Sequence, residues 1–145
     1  AQAPSVITAG AGIDGNETNG LIIDRRALQG NPQSAVLVIA GVTTLDTAET
    51  LTITANAQDG DASNLSDAAD YTYAPGGDTG ILAATVVKTG LATAGTWQVK
   101  MPVDLGKAKR YLRSQITANL SRAGTDTAAF SATWIFGGQD TTPVP

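Results

Sequence analysis

The sequence predicts an all-β chain folded as one β-sandwich of about seven strands, and three observations carry that prediction. Short runs rich in β-branched residues recur between Gly, Asn, Asp and Pro punctuation. Residues 49–57 alternate with period two, setting Leu51, Ile53, Ala55 and Ala57 against Thr50, Thr52, Thr54 and Asn56. At 145 residues the chain has the length of one domain, and several short strands in one domain are housed most simply by two sheets burying their inner faces on each other.

Taken in order, the first strand is expected at residues 20–28 (GLIIDRRAL) and the second at 34–40 (SAVLVIA), joined by a turn containing Gly30, Asn31 and Pro32. The second is apolar on both faces and therefore belongs in the middle of a sheet. Within the first, Asp24, Arg25 and Arg26 are neighbours that must point to alternate faces, so one of them should be partly buried and paired. The alternating run 49–57 comes third. Residues 80–89 (GILAATVVKT) are the fourth strand and 96–103 the fifth, with Trp97, Val99, Met101 and Val103 sharing a face. Pro102 lacks a ladder donor and marks that strand as an end or an edge.

Residues 109–121 are ambiguous, because Leu105, Leu112, Ile116 and Leu120 also fit helical spacing, with Asp104 available as N-cap. The strand is favoured: it turns Leu112, Ile116, Ala118 and Leu120 inward, and position 114 is its only polar break. The last strand, 127–136, puts Phe130, Trp134 and Phe136 on one face, and these three with Trp97 are the expected aromatic core. The ends, 1–19 and 138–145, are small, polar or Pro-containing and are expected to be arms flanking the sandwich domain at 20–137, ordering only against a neighbour.

Composition narrows the chemistry. There is no Cys and no His, which removes disulfides, thiolate nucleophiles, the commonest metal ligand and the commonest general base. A net charge of −4 argues against nucleic-acid binding, which needs a basic footprint. No apolar run approaches the roughly 20 residues needed to span a bilayer, so a soluble chain is expected. Gly10-Ala-Gly12 lacks the third Gly and the following helix of a dinucleotide loop. No cofactor, metal or enzymatic activity is predicted.

Two runs deserve a partner. Asp59, Asp61, Ser63, Asp67 and Asp70 fall at calcium-loop spacing, but Asn64 stands where the loop needs Gly and Asp70 where it needs Glu. A solvated acidic loop is the plainer expectation. The basic run Lys107 to Arg113 lies in an otherwise acidic chain, where it serves either as an interaction face or as a charged edge that discourages aggregation.

Several segments carry a resemblance: Asn19-Gly20 with Asp24-Arg25, Glu49-Thr-Leu-Thr, Gln58-Asp-Gly-Asp61 with Asp67, Val103-Asp-Leu-Gly-Lys-Ala-Lys-Arg-Tyr-Leu-Arg113, and Gly124-Thr-Asp-Thr-Ala with Gly137-Gly138. In this order they resemble the small β-rich auxiliary capsid proteins of tailed bacteriophages. The resemblance implies a decoration or cement protein on the outer capsid surface of the virion, bound to the major capsid protein and commonly trimeric, with no nucleic-acid or membrane partner. From charge and position, Arg25, Arg26, Lys109, Arg110 and Arg113 are the expected partner-binding residues, together with the N-terminal arm. Two other classes remain open: a self-assembling virion subunit such as a tail-tube protein, and a calcium- or glycan-binding module using Asp59, Asp61, Asp67 and Asp70.

Overall fold

The longest pairings of the sandwich run through one central strand in each sheet. The computed structural model describes residues 2–11, 13–28, 30–77, 79–90, 94–121 and 125–138. In chain order the strands are β1 (Gln2–Thr8), β2 (Glu17–Asn19), β3 (Ile23–Asp24), β4 (Ser34–Thr44), β5 (Thr50–Gly60), β6 (Ala69–Asp70), β7 (Ile81–Thr89), β8 (Ala94–Asp104), β9 (Tyr111–Leu120) and β10 (Thr127–Gly137). A four-stranded sheet runs β1-β10-β4-β8; the second sheet is built on β9 and β5, with β2 and β3 beside β9 and β6 and β7 beside β5. Both are antiparallel.

The apolar run at 34–40 is indeed central. β4 pairs unbroken with β10 from Ser34↔Gly137 to Thr44↔Thr127, and with β8 from Ser34↔Asp104 to Thr44↔Ala94. Ala35, Leu37 and Ile39 are buried, facing Leu51, Ile53, Ala55 and Ala57 of β5 and Leu112, Ile116, Ala118 and Leu120 of β9 in one core. The strand reading of 109–121 holds, and Pro102 lies on β8, an edge strand.

Trp97, Phe130 and Trp134 are buried, whereas Phe136 is half-buried and stacks on Trp134. Gly41 lies between Phe130 and Trp97 in register, and the two rings close over it with centroids 6.4 Å apart. A Cβ there would collide with the Ala129 carbonyl oxygen, so the close approach of β10 to β4 requires glycine.

Two expectations are corrected. Residues 20–28 do not make a strand: only Ile23–Asp24 pairs, with Leu112 and Tyr111, and the chain then enters a 3-10 turn at Arg25–Ala27. Asp24 causes the break, since its carboxylate accepts from the Arg26 N–H and caps the turn, a local bond that outcompetes the ladder.

Residues 1–19 are not a free arm. β1 lies along β10 with a register shift between Gln2 and Ser5, and its Ile7 is buried in the core. β2 pairs with β9. Asp14 fixes the turn between them by accepting from the N–H groups of Gly10 and Leu120. One buried isoleucine and a free ladder edge on β10 suffice to order a segment whose composition is otherwise small and polar. Of the expected C-terminal tail, Gly138 accepts from Gln33 N–H and residues 139–145 lie outside the described residues.

Candidate functional site

Arg25 organises the region where the basic residues meet. Its side chain is 6% exposed, and its two terminal nitrogens donate to the carbonyls of Pro32, Leu105, Ala108 and Lys109. One guanidinium thus ties the 3-10 turn to the 30–33 turn and to the loop between β8 and β9. That loop is further held by Gly106 N–H to Asp104, Leu105 N–H to Gln33, and Lys109 N–H to the buried Asp59 carboxylate at 2.8 Å. Burial draws the Arg25 guanidinium below its ordinary range, opposed by the negative charge of Asp59; it stays a cation.

Four of the five predicted partner-binding residues come together. Arg25, Arg26, Lys109 and Arg110, with Asn31 and Asp61, line an open pocket of about 280 Å³. Arg110 is engaged: its guanidinium grips Asp24 at 2.7 Å and stacks over Tyr111. The fifth, Arg113, is elsewhere, donating twice to Gln58 on the outer face of the β5/β9 sheet. Arg25 is buried and committed to carbonyls, so it shapes the pocket wall more than it offers a free contact.

Arg113 belongs to a polar ladder across that sheet. Gln58 and Asn56 both donate to Asp70, Asn56 also donates to Gln115, and Gln115 donates to Glu17 and Asn19. The ladder crosses β6, β5, β9 and β2 and fixes their register, because a slip of one residue would reverse every side chain.

The outer face of the four-stranded sheet is the opposite. The register sets Val6, Ala129, Val42 and Thr96 in one row and Ile135, Val36 and Pro102 in another, with Ser131, Ala40, Thr133 and Val38 between. Val6, Val42 and Ile135 are 70%, 51% and 58% exposed. The only charge among these rows is Lys100, opposite Val38 on the edge strand. Sequence reading missed this face, although its signal was present in β4, whose valines at 36, 38 and 42 are the outward half of a run apolar on both sides.

The acidic segment is spent on local structure. Asp59 holds Lys109 N–H, Asp67 accepts from the N–H groups of Asp61 and Ala62, and Asp70 serves the ladder. Among the described residues no group of three carboxylates converges as a metal site, and no helix is long and apolar enough to cross a membrane.

The hydrogen bond from Arg110 holds the Asp24 carboxyl below its usual range, and backbone N–H donors from Asp61 and Ala62 do the same for Asp67. A carboxylate whose pKa is depressed on folding stabilises the fold above its unfolded pKa, and that contribution is lost as pH falls through the folded value. Stability is therefore expected to decline below about pH 4. Urea denaturation of an Asp24→Asn, Asp67→Asn variant, measured from pH 7 to pH 2.5, should give a shallower acid limb than the parent; an unchanged limb would assign the loss to other carboxylates.

Comparison with family models, with curated proteins and with solved structures returned no match.

Proposed function

We propose that the protein is a structural virion subunit, a decoration or cement protein that binds the major capsid protein on the outer surface of an icosahedral phage head, and that it works as a trimer without catalysis or cofactor. The observation that carries this reading is the asymmetry of the sandwich. One outer face is bridged across β6, β5, β9 and β2 by its own polar ladder, with Ile81 and Val86 exposed on its β7 edge, and the other presents Val6, Val42 and Ile135 in rows whose one charge is Lys100. Exposed apolar surface of that kind marks an interaction site. The resemblance in the 103–113 and 124–138 segments supplies the partner class.

Cement action means binding the assembled lattice better than free subunits, which stabilises the assembled state by mass action. Repetition over a symmetric shell adds avidity without new contacts. The basic pocket lies at the β8–β9 connection and provides a second, polar contact.

Co-sedimentation with empty phage shells lacking this protein is the test. Saturation at a fixed ratio to the major capsid protein, with a raised shell melting temperature, is the expected result. Val42→Asp, at an exposed position, should keep the monomer's stability yet abolish saturation by burying an unpaired charge. Failure of the parent protein to bind would overturn the proposal, with rings or sheets formed alone pointing to a self-assembling subunit.

A further inference from the structure

We propose that the pocket between the Arg25–Ala27 turn and the β8–β9 loop is a docking site for a single carboxylate group carried by an acidic peptide segment. This concerns the same basic residues as the shell contact but rests on the pocket alone, and it stands or falls in the isolated protein.

Charge decides the ligand class. Four cations line the pocket against one carboxylate, Asp61. Arg110 is already neutralised by Asp24, and the Arg25 cation is favoured by the buried Asp59 behind the wall. That leaves Arg26 and Lys109 facing Asp61, a surplus of one positive charge. A carboxylate brings a single negative charge to this pair; Asp67, outside the lining but near enough to act on Lys109, offsets part of the surplus, so a phosphate dianion would leave negative charge in excess.

Donors are available as well as charge. Neither Arg26 nor Lys109 makes a side-chain hydrogen bond or ion pair among the described residues, although Arg26 is near enough for its charge to act on Asp24. An arginine fork and a lysine at one pocket suit a carboxylate, which accepts at both oxygens. The backbone under them is rigid, because Lys109 N–H is pinned by Asp59 and Arg25 N–H by the Arg110 carbonyl. Little ordering is left for binding to demand.

The probes are the blocked tripeptide acetyl-Gly-Glu-Gly-amide, its Gln counterpart and inorganic phosphate, each titrated into the ¹⁵N-labelled protein at low salt. The Glu peptide should give saturable amide shifts confined to Arg26, Asn31 and residues 108–110. Affinity should fall about tenfold in an Arg26→Gln, Lys109→Gln variant that keeps the parent's melting temperature. A Lys100→Gln control on the other sheet should bind as the parent does. Equal shifts with the Gln peptide, phosphate binding as tight as the Glu peptide, or shifts spread over all lysines would each overturn the proposal. Shell co-sedimentation is read separately, so peptide binding without shell binding would refute only the shell partner.

Discussion

Replacing Arg25 by methionine is expected to destabilise the protein by about 4 kcal/mol, more than any other single substitution at the basic cluster. The guanidinium donates to four carbonyls from two separate loops, in a side chain 6% exposed. Charge-assisted bonds contribute about 1.5–3 kcal/mol each, and a buried acceptor left unpaired costs about 1–3 kcal/mol. The sum is reduced because the cation's own burial is unfavourable and because the Leu105 carbonyl keeps a second donor, the Ala108 N–H. Arg25→Lys should rescue little, since an ammonium cannot reach two loops with a planar fork. Urea midpoints with unchanged m-values measure both; a loss under about 1 kcal/mol for Arg25→Met would show that the loops hold themselves.

Leu37→Ala is expected to cost about 3–4 kcal/mol. Leu37 is fully buried on the central strand, flanked in register by Trp134 on β10 and Met101 on β8. Strands paired over their whole length on both sides cannot move in to fill the gap, so most of the cavity should persist. Val36→Ala, on the outward face of the same strand, removes half-exposed methyl groups and should cost under about 1 kcal/mol. Near-equal losses for the two would contradict the inside-outside assignment of β4.

These two residues also mark what was legible in the chain. Leu37 was readable because alternation and uninterrupted apolarity are local signals, and the same holds for the inward residues of β5 and β9. Arg25 was read as a surface contact or a paired charge. Its actual partners are carbonyls, which every residue carries and which leave no trace in composition. Asp24 breaks a strand that hydrophobicity alone would continue. β1 went unseen for the opposite reason: QAPSVIT has little to recommend it as a strand, and what orders it is the ladder edge of a segment at the other end of the chain. The pocket was half-visible. Lys109 and Arg110 are adjacent in sequence, but Arg25, Asn31 and Asp61 reach them only through three turns.

The pairing of Gln2 with Ala132 places the two ends of the described chain on adjacent strands. The central strand likewise waits for partners beginning at residues 94 and 127. As the polypeptide leaves a ribosome, the four-stranded sheet therefore has no complete template until residues 127–137 have emerged. Closing loops of that length before any contact rewards them places such a topology among the slower folders, on the order of milliseconds to seconds. During synthesis the apolar β4 segment stands unpaired along both edges until residues 94–104 emerge and along one until 127–137 follow, which makes it the part of the nascent chain most in need of a chaperone.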